Sequence, residues 1–97
     1  MKISVRFFTS LREITGKRQE MMEFGDCETV TISDVLERLS KRYGKSFVAY
    51  AFDGKTGKTK GFLQFLVNGR STSATHELNT RLSDGDVLAI IPPVGGG

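Results

Sequence analysis

Apolar and polar side chains alternate from the start of the chain. Residues 2–8, Lys-Ile-Ser-Val-Arg-Phe-Phe, put Ile3, Val5 and Phe7 on one side and Lys2, Ser4, Arg6 and Phe8 on the other, the period of a strand with one buried face. Residues 9–17 connect onward, with room for a helical turn around Leu11-Arg12-Glu13-Ile14 that closes at Gly16. Residues 18–24 predict a second strand, antiparallel to the first. The period then changes: Ile32, Val35, Leu36, Leu39 and Tyr43 share one stripe, so the spacing predicts a helix over 32–43. Its ends carry their own signals. Thr31 suits the N-cap, Asp34 the positive end, and Val30 with Val35 a hydrophobic staple. Lys41 and Arg42 suit the negative end, and Gly44 the closing left-handed residue.

Residues 46–52 are apolar and fit either a second short helix or irregular packing; residues 53–58 are turn-like and expected to be mobile. Residues 62–67 predict a third strand. Asn68-Gly69 is the strongest hairpin signal in the chain, because both positions tolerate positive φ, and Arg70-Ser71-Thr72 would return beside that strand. After the Asp84-Gly85-Asp86 turn, residues 87–91 predict the last strand. This order suits an α+β fold, a mixed sheet with one main helix on one face. It is the β-grasp, or ubiquitin-like, arrangement, in which the last strand runs parallel to the first. The 97 residues are read as a single domain with a flexible tail over 92–97.

One helix covers only one face of such a sheet. Leu63, Phe65 and Val67 are assigned inward with Ile3, Val5, Phe7, Leu88 and Ile90, which leaves Phe8, Phe62, Leu66, Ala89 and Ile91 on the opposite face. That set is too apolar for a face meeting only water, and contiguous exposed apolar surface marks a docking site. Two alternatives stand beside this: residues 45–61 fold over the face, or the assignment is slipped by one residue.

Composition narrows the chemistry. No apolar run approaches the ~20 residues of a bilayer span. Residues 1–6 alternate where a signal peptide would be continuously apolar, so no membrane partner and a cytoplasmic location are expected. The single cysteine, Cys27, cannot form an internal disulfide, and Cys27 with His76 is too few ligands for zinc, so no metal is expected. Without a basic neighbour to activate it, Cys27 reads as a loop cysteine, and His76 as a loop residue. Asp84 and Asp86 are explained by their glycine-centred turn. Net charge is +3, and Lys55, Lys58 and Lys60 cluster among glycines. They read as a solvated loop rather than a phosphate site, and with no aromatic–basic interleaving no nucleic-acid partner is expected. No catalytic triad, phosphate-binding glycine loop or paired-carboxylate site is visible.

The chemistry is concentrated at the end of the sequence, Ile90-Ile91-Pro92-Pro93-Val94-Gly95-Gly96-Gly97. Pro92 and Pro93 fix φ near −65° and should project the chain off the sheet as a stiff stub. Gly95 to Gly97 lack side chains and can thread a narrow channel. Extended, residues 92–97 reach about 20 Å. A glycine-rich end is also what an idle terminus looks like. The placement directly after a strand, behind two prolines and beside an apolar face, favours function. The carboxylate of Gly97 is a poor electrophile until it is adenylated. A sulfur nucleophile can then displace AMP and leave a thiocarboxylate on a tether.

Residues 82–97, from Leu82-Ser83-Asp84-Gly85-Asp86 through Pro92-Pro93-Val94 to Gly96-Gly97, resemble the C-terminus of MoaD-like proteins, the small subunits of molybdopterin synthase. Residues 2–8, Leu11-Arg12-Glu13 with Gly16, Thr31-Ile32 and Val67-Asn68-Gly69 follow in the family's order, so the resemblance spans nearly the whole chain. It implies a sulfur carrier with no permanently bound cofactor. A ubiquitin-activating-enzyme-like adenylyltransferase would use ATP to activate Gly97, and a sulfurtransferase would install the sulfur. A MoaE-like large subunit would receive the tail and supply the catalytic side chains, so that two sulfurs delivered in turn build the dithiolene of molybdopterin. By that resemblance Gly97 is the reactive residue, and Pro92, Pro93, Val94, Gly95 and Gly96 lie along the partner's channel. Gly95, where the family often has alanine, and the longer segment 45–61 are departures. Thiamine-pathway carriers are similar but generally shorter. A protein modifier conjugated through Gly97, a carrier for transfer-RNA thiolation or thiamine, and an inert interaction domain are the competing readings.

Overall fold

The computed structural model describes residues 1–25, 29–60, 63–71 and 77–91. The chain runs β1 (Lys2–Phe7), α1 (Ser10–Thr15), β2 (Gln19–Glu23), β3 (Val30–Thr31), α2 (Ile32–Tyr43), α3 (Lys45–Ala51), β4 (Gln64–Val67) and β5 (Arg70–Ser71). A 3₁₀ turn (Glu77–Asn79), β6 (Arg81–Leu82) and β7 (Val87–Ile91) complete it. The main sheet has the order β2-β1-β7-β4-β5. β7 lies at its centre, parallel to β1 and antiparallel to β4. This is the expected β-grasp topology, with the last strand returning beside the first.

The ends of the elements have local causes. β1 stops at Phe7, one residue short of the expected boundary, because the chain turns at Thr9, which has φ 45°, and the Leu11 amide bonds the Phe8 carbonyl to open α1. Gly16 closes α1 in the left-handed conformation. β2 is likewise one residue shorter at each end than the period suggested. α2 has the expected limits. Its N-terminus is a full capping box: the Thr31 hydroxyl accepts from the Asp34 amide at 3.3 Å, and the Asp34 carboxylate accepts from the Thr31 amide at 2.9 Å.

The helical stripe, Ile32, Val35, Leu36 and Leu39, is fully buried or nearly so. It packs into one core with Ile3, Val5 and Phe7 of β1, Leu88 and Ile90 of β7, and Leu63 and Phe65 beside them. Each such side chain contributes about 1.5–3 kcal/mol by leaving water. The apolar segment 46–52 resolves into α3, whose Phe47 and Ala51 enter the same core, and α3 packs against α1 and α2. The alternative that residues 45–61 hide the outer sheet face is therefore not realised by α3, which sits on the helical side. The turn after it is closed on itself, with the Asp53 amide bonding the Lys58 carbonyl at 2.7 Å and Phe52 bridged to Thr59.

Two features were not foreseen. β3 and β6 form a two-stranded ribbon that ties the start of α2 to the segment before β7. Glu20, on the inward face of β2, is buried, and its carboxylate accepts from Lys17 Nζ at 3.2 Å, from Arg42 and from the Tyr43 hydroxyl. It joins the first hairpin to the C-terminal turn of α2.

Candidate functional site

β7 ends at Ile91, in the middle of the sheet, so the strand that leads to residues 92–97 is paired on both sides as far as Ile90 and on one side at Ile91. Phe7 pairs with Ile90 on one flank, and Phe65 and Gln64 pair with Ile90 and Ile91 on the other. The tail residues Pro92, Pro93, Val94, Gly95, Gly96 and Gly97 lie outside the described residues, as do Phe62, Cys27 and His76.

Of the residues assigned to the outer sheet face, Leu66, Ala89 and Ile91 lie on it. The inward assignment holds, since Leu63, Phe65, Leu88 and Ile90 are all buried, so no slip of register has occurred. Arg6, Ala89, Leu66 and Ser71 form one row across β1, β7, β4 and β5, with Ile91 and Gln64 in the next row. Leu66 and Ile91 are half-buried; Ala89 is buried between its longer neighbours. Phe8 is half-buried, and the guanidinium groups of Arg6 and Arg12 stand 5.7 and 5.5 Å from its ring centroid. Those cations give the upper edge of the face a positive collar and shield the ring from water. Val87 and Met21, which the sequence reading did not assign, belong to this face as well. Met21 is 57% exposed and lies opposite Ser4, which itself pairs with Val87. The face is thus apolar along β7 and at Leu66, and mixed toward Gln64 and β1.

The other end of β7 is clasped. Asn68, at φ 52° in the two-residue β4–β5 turn, donates its amide N–H to the Val87 carbonyl at 2.8 Å. Its side-chain Oδ1 accepts from the Val87 amide and its Nδ2 donates to Asp86 Oδ1, both at 2.9 Å. Asp86 also accepts from the Ser83 amide at 2.7 Å, and Asp84 accepts from the Lys2 amide at 2.7 Å. The two carboxylates of this turn are spent on backbone and Asn68 donors, as the glycine-centred turn implied. Among the described residues no group of three or more His, Cys, Asp or Glu could hold a metal ion, and no helix is long and apolar enough to cross a membrane.

Known proteins share this arrangement. Small archaeal modifier protein 3 of Haloferax volcanii is 32% identical over 97 residues, covering all of both chains. Sulfur carrier protein CysO of Mycobacterium tuberculosis is 29% identical over the same span, again covering all of both. The solved structure of a putative molybdopterin converting factor, subunit 1, from Pyrococcus furiosus superposes with a TM-score of 0.71 at 27% identity, over 96% of this chain and 98% of that one. The sequence profile of the ThiS family matches residues 5–97, and the chain belongs to that family of ubiquitin-like sulfur carriers.

Proposed function

We propose that this chain carries sulfur on the terminal carboxyl of Gly97 and delivers it inside a molybdopterin synthase, with a MoaE-like subunit receiving the tail. The observation that carries the reading is the position of β7. Paired on both flanks and clasped at its start, it holds the tail's point of departure beside an apolar face, so docking of that face fixes where a short arm can reach. Activation proceeds in two steps on partner enzymes. A Gly97 carboxylate oxygen attacks the α-phosphorus of ATP and pyrophosphate leaves; a sulfur nucleophile then attacks the acyl carbon and AMP leaves. The thiocarboxylate so formed is a soft nucleophile whose targets are limited by the docked geometry.

A second reading, a modifier joined through Gly97 to substrate lysines, is favoured by the full-length likeness to small archaeal modifier protein 3. Both readings need the same adenylate. Intact mass of the protein co-expressed with its own activating enzyme separates them. Replacement of one oxygen by sulfur supports the carrier, and lysine conjugates without any thiocarboxylate support the modifier. Failure of the intact chain to promote ATP–pyrophosphate exchange sinks both.

A further inference from the structure

We infer that the groove between α3 and the turn at residues 53–58 is a second docking site, built for an acidic peptide segment of a partner protein with an apolar anchor. It is separate from the outer sheet face, because α3 packs on the helical side with α1 and α2. The groove encloses about 510 Å³ and is lined by Val48, Ala49, Phe52, Gly57 and Lys60 among others. Val48 is 41% exposed there, one of only two large hydrophobic side chains so exposed among the described residues, the other being Met21 on the far side of the sheet. An exposed valine beside a half-buried phenylalanine offers a seat for one apolar side chain.

The walls are preformed. Asp53 and Lys58 are joined by backbone bonding, Gly57 N–H donates to the Asp53 carbonyl at 2.8 Å, and the Lys60 amide donates to the Ala51 carbonyl at 2.9 Å. The turn that walls the groove is net positive, with Lys55, Lys58 and Lys60 against Asp53. Lys55 and Lys58 stand exposed on the turn, and Lys60 Nζ donates to the Ala49 carbonyl at 2.9 Å inside the lining. The one carboxylate in the lining, Asp53, is occupied by the turn's own amides at Lys55 and Thr56. A ligand that complements this rim is negative, and one that fills the groove is apolar at its centre. An acidic peptide meets both demands. Single-stranded nucleic acid would meet the charge but has only Phe52 to stack on.

The test is a ¹⁵N NMR titration of the full chain with the blocked hexapeptide Glu-Asp-Leu-Phe-Asp-Glu. Expected are shifts centred on the amides of Val48, Gly54 and Gly57 that weaken as salt is raised. Binding should fall about tenfold or more for Val48→Asp, and separately for Lys55→Glu combined with Lys58→Glu. The surface lysine pair keeps the test decisive if the helix variant fails to fold. The same peptide with Ser-Ser in place of Leu-Phe, or with Gln and Asn in place of its acids, should bind at least tenfold more weakly. Shifts centred elsewhere, equal binding of either control peptide, or tighter binding of a uridine decamer at the same amides would overturn the proposal. Deleting Gly97 should leave the peptide affinity unchanged, while ATP–pyrophosphate exchange reports on the tail, so the two readings fail independently.

Discussion

Asn68 is the residue through which the hairpin turn holds the start of the tail-bearing strand, and its two contributions can be measured separately. Replacement by glycine keeps the positive φ of 52° at no steric cost but removes the acceptor of the Val87 amide and the donor to Asp86. Each of those bonds is worth about 0.5–1.5 kcal/mol, and the site is exposed enough for water to replace part of the loss, so Asn68→Gly should cost about 1–2 kcal/mol. Alanine loses the same bonds and adds about 1–2 kcal/mol for a Cβ in left-handed backbone, so Asn68→Ala should cost about 2–4 kcal/mol. For a domain of this size each kcal/mol lowers the melting temperature by about 4–8 °C. Urea unfolding of the wild type and both variants measures the two steps, with an unchanged m-value showing that the unfolded state is not the cause. Equal destabilisation by glycine and alanine would remove the backbone argument. A glycine variant as stable as wild type would show that the clasp on Val87 and Asp86 contributes nothing.

Other expectations follow from single features of the structure. Ile91→Asp, on the half-buried outer face, should weaken binding to a MoaE-like partner by tenfold or more with the circular dichroism and melting curve nearly unchanged, as isothermal calorimetry with the purified partner would read. Leu39→Ala, fully buried under the sheet, should cost about 2–5 kcal/mol in chemical denaturation. Glu20→Gln should cost about 1–3 kcal/mol, because the buried carboxylate loses its charge-assisted bonds to Lys17 and Arg42; a double-mutant cycle with Arg42→Ala should show coupling between the two. Deleting Gly97 should abolish ATP–pyrophosphate exchange with the activating enzyme while leaving the melting temperature in place.

The fold was legible where one period dominated. β1, α2 and β7 each have a single strong alternation or stripe, and the Asn68-Gly69 pair dictated its hairpin through φ alone. The parallel pairing of β1 with β7 was reached by topology, and the structure bears it out. What escaped depends on neighbours distant in sequence. β3 and β6 have two residues each, too few to show a period, and exist because Val30 and Leu82, far apart in sequence, meet to bury one another. Glu20 looked like a surface residue in an alternating strand. Its burial is possible only because the end of α2 brings Arg42 and Tyr43 over it. α3 stayed ambiguous because its apolar residues face both inward, at Phe47 and Ala51, and outward, at Val48. The outer-face placement of Leu66, Ala89 and Ile91 was read correctly, and so was that of Arg6 beside Phe8; Arg12 was not, since it reaches the ring from a different element.

Why the departing arm should follow the central strand, and not an edge, is a matter of positional precision. An edge strand has one hydrogen-bonded flank and frays from its free side. β7 has two flanks, a core face in Leu88 and Ile90 at full burial, and a clasp at its first residue. Its penultimate residue, Ile90, is paired on both flanks and buried, and Ile91 is paired with Gln64 on the β4 flank. Beyond that residue two prolines limit the chain's freedom before the glycines restore it. A misplacement of about 1 Å can cost a hundredfold in rate, so under the proposed carrier role a well-held strand before the arm favours reaction at both partner sites. An arm of the same length made only of glycine should dock as tightly through the sheet face and react more slowly at both.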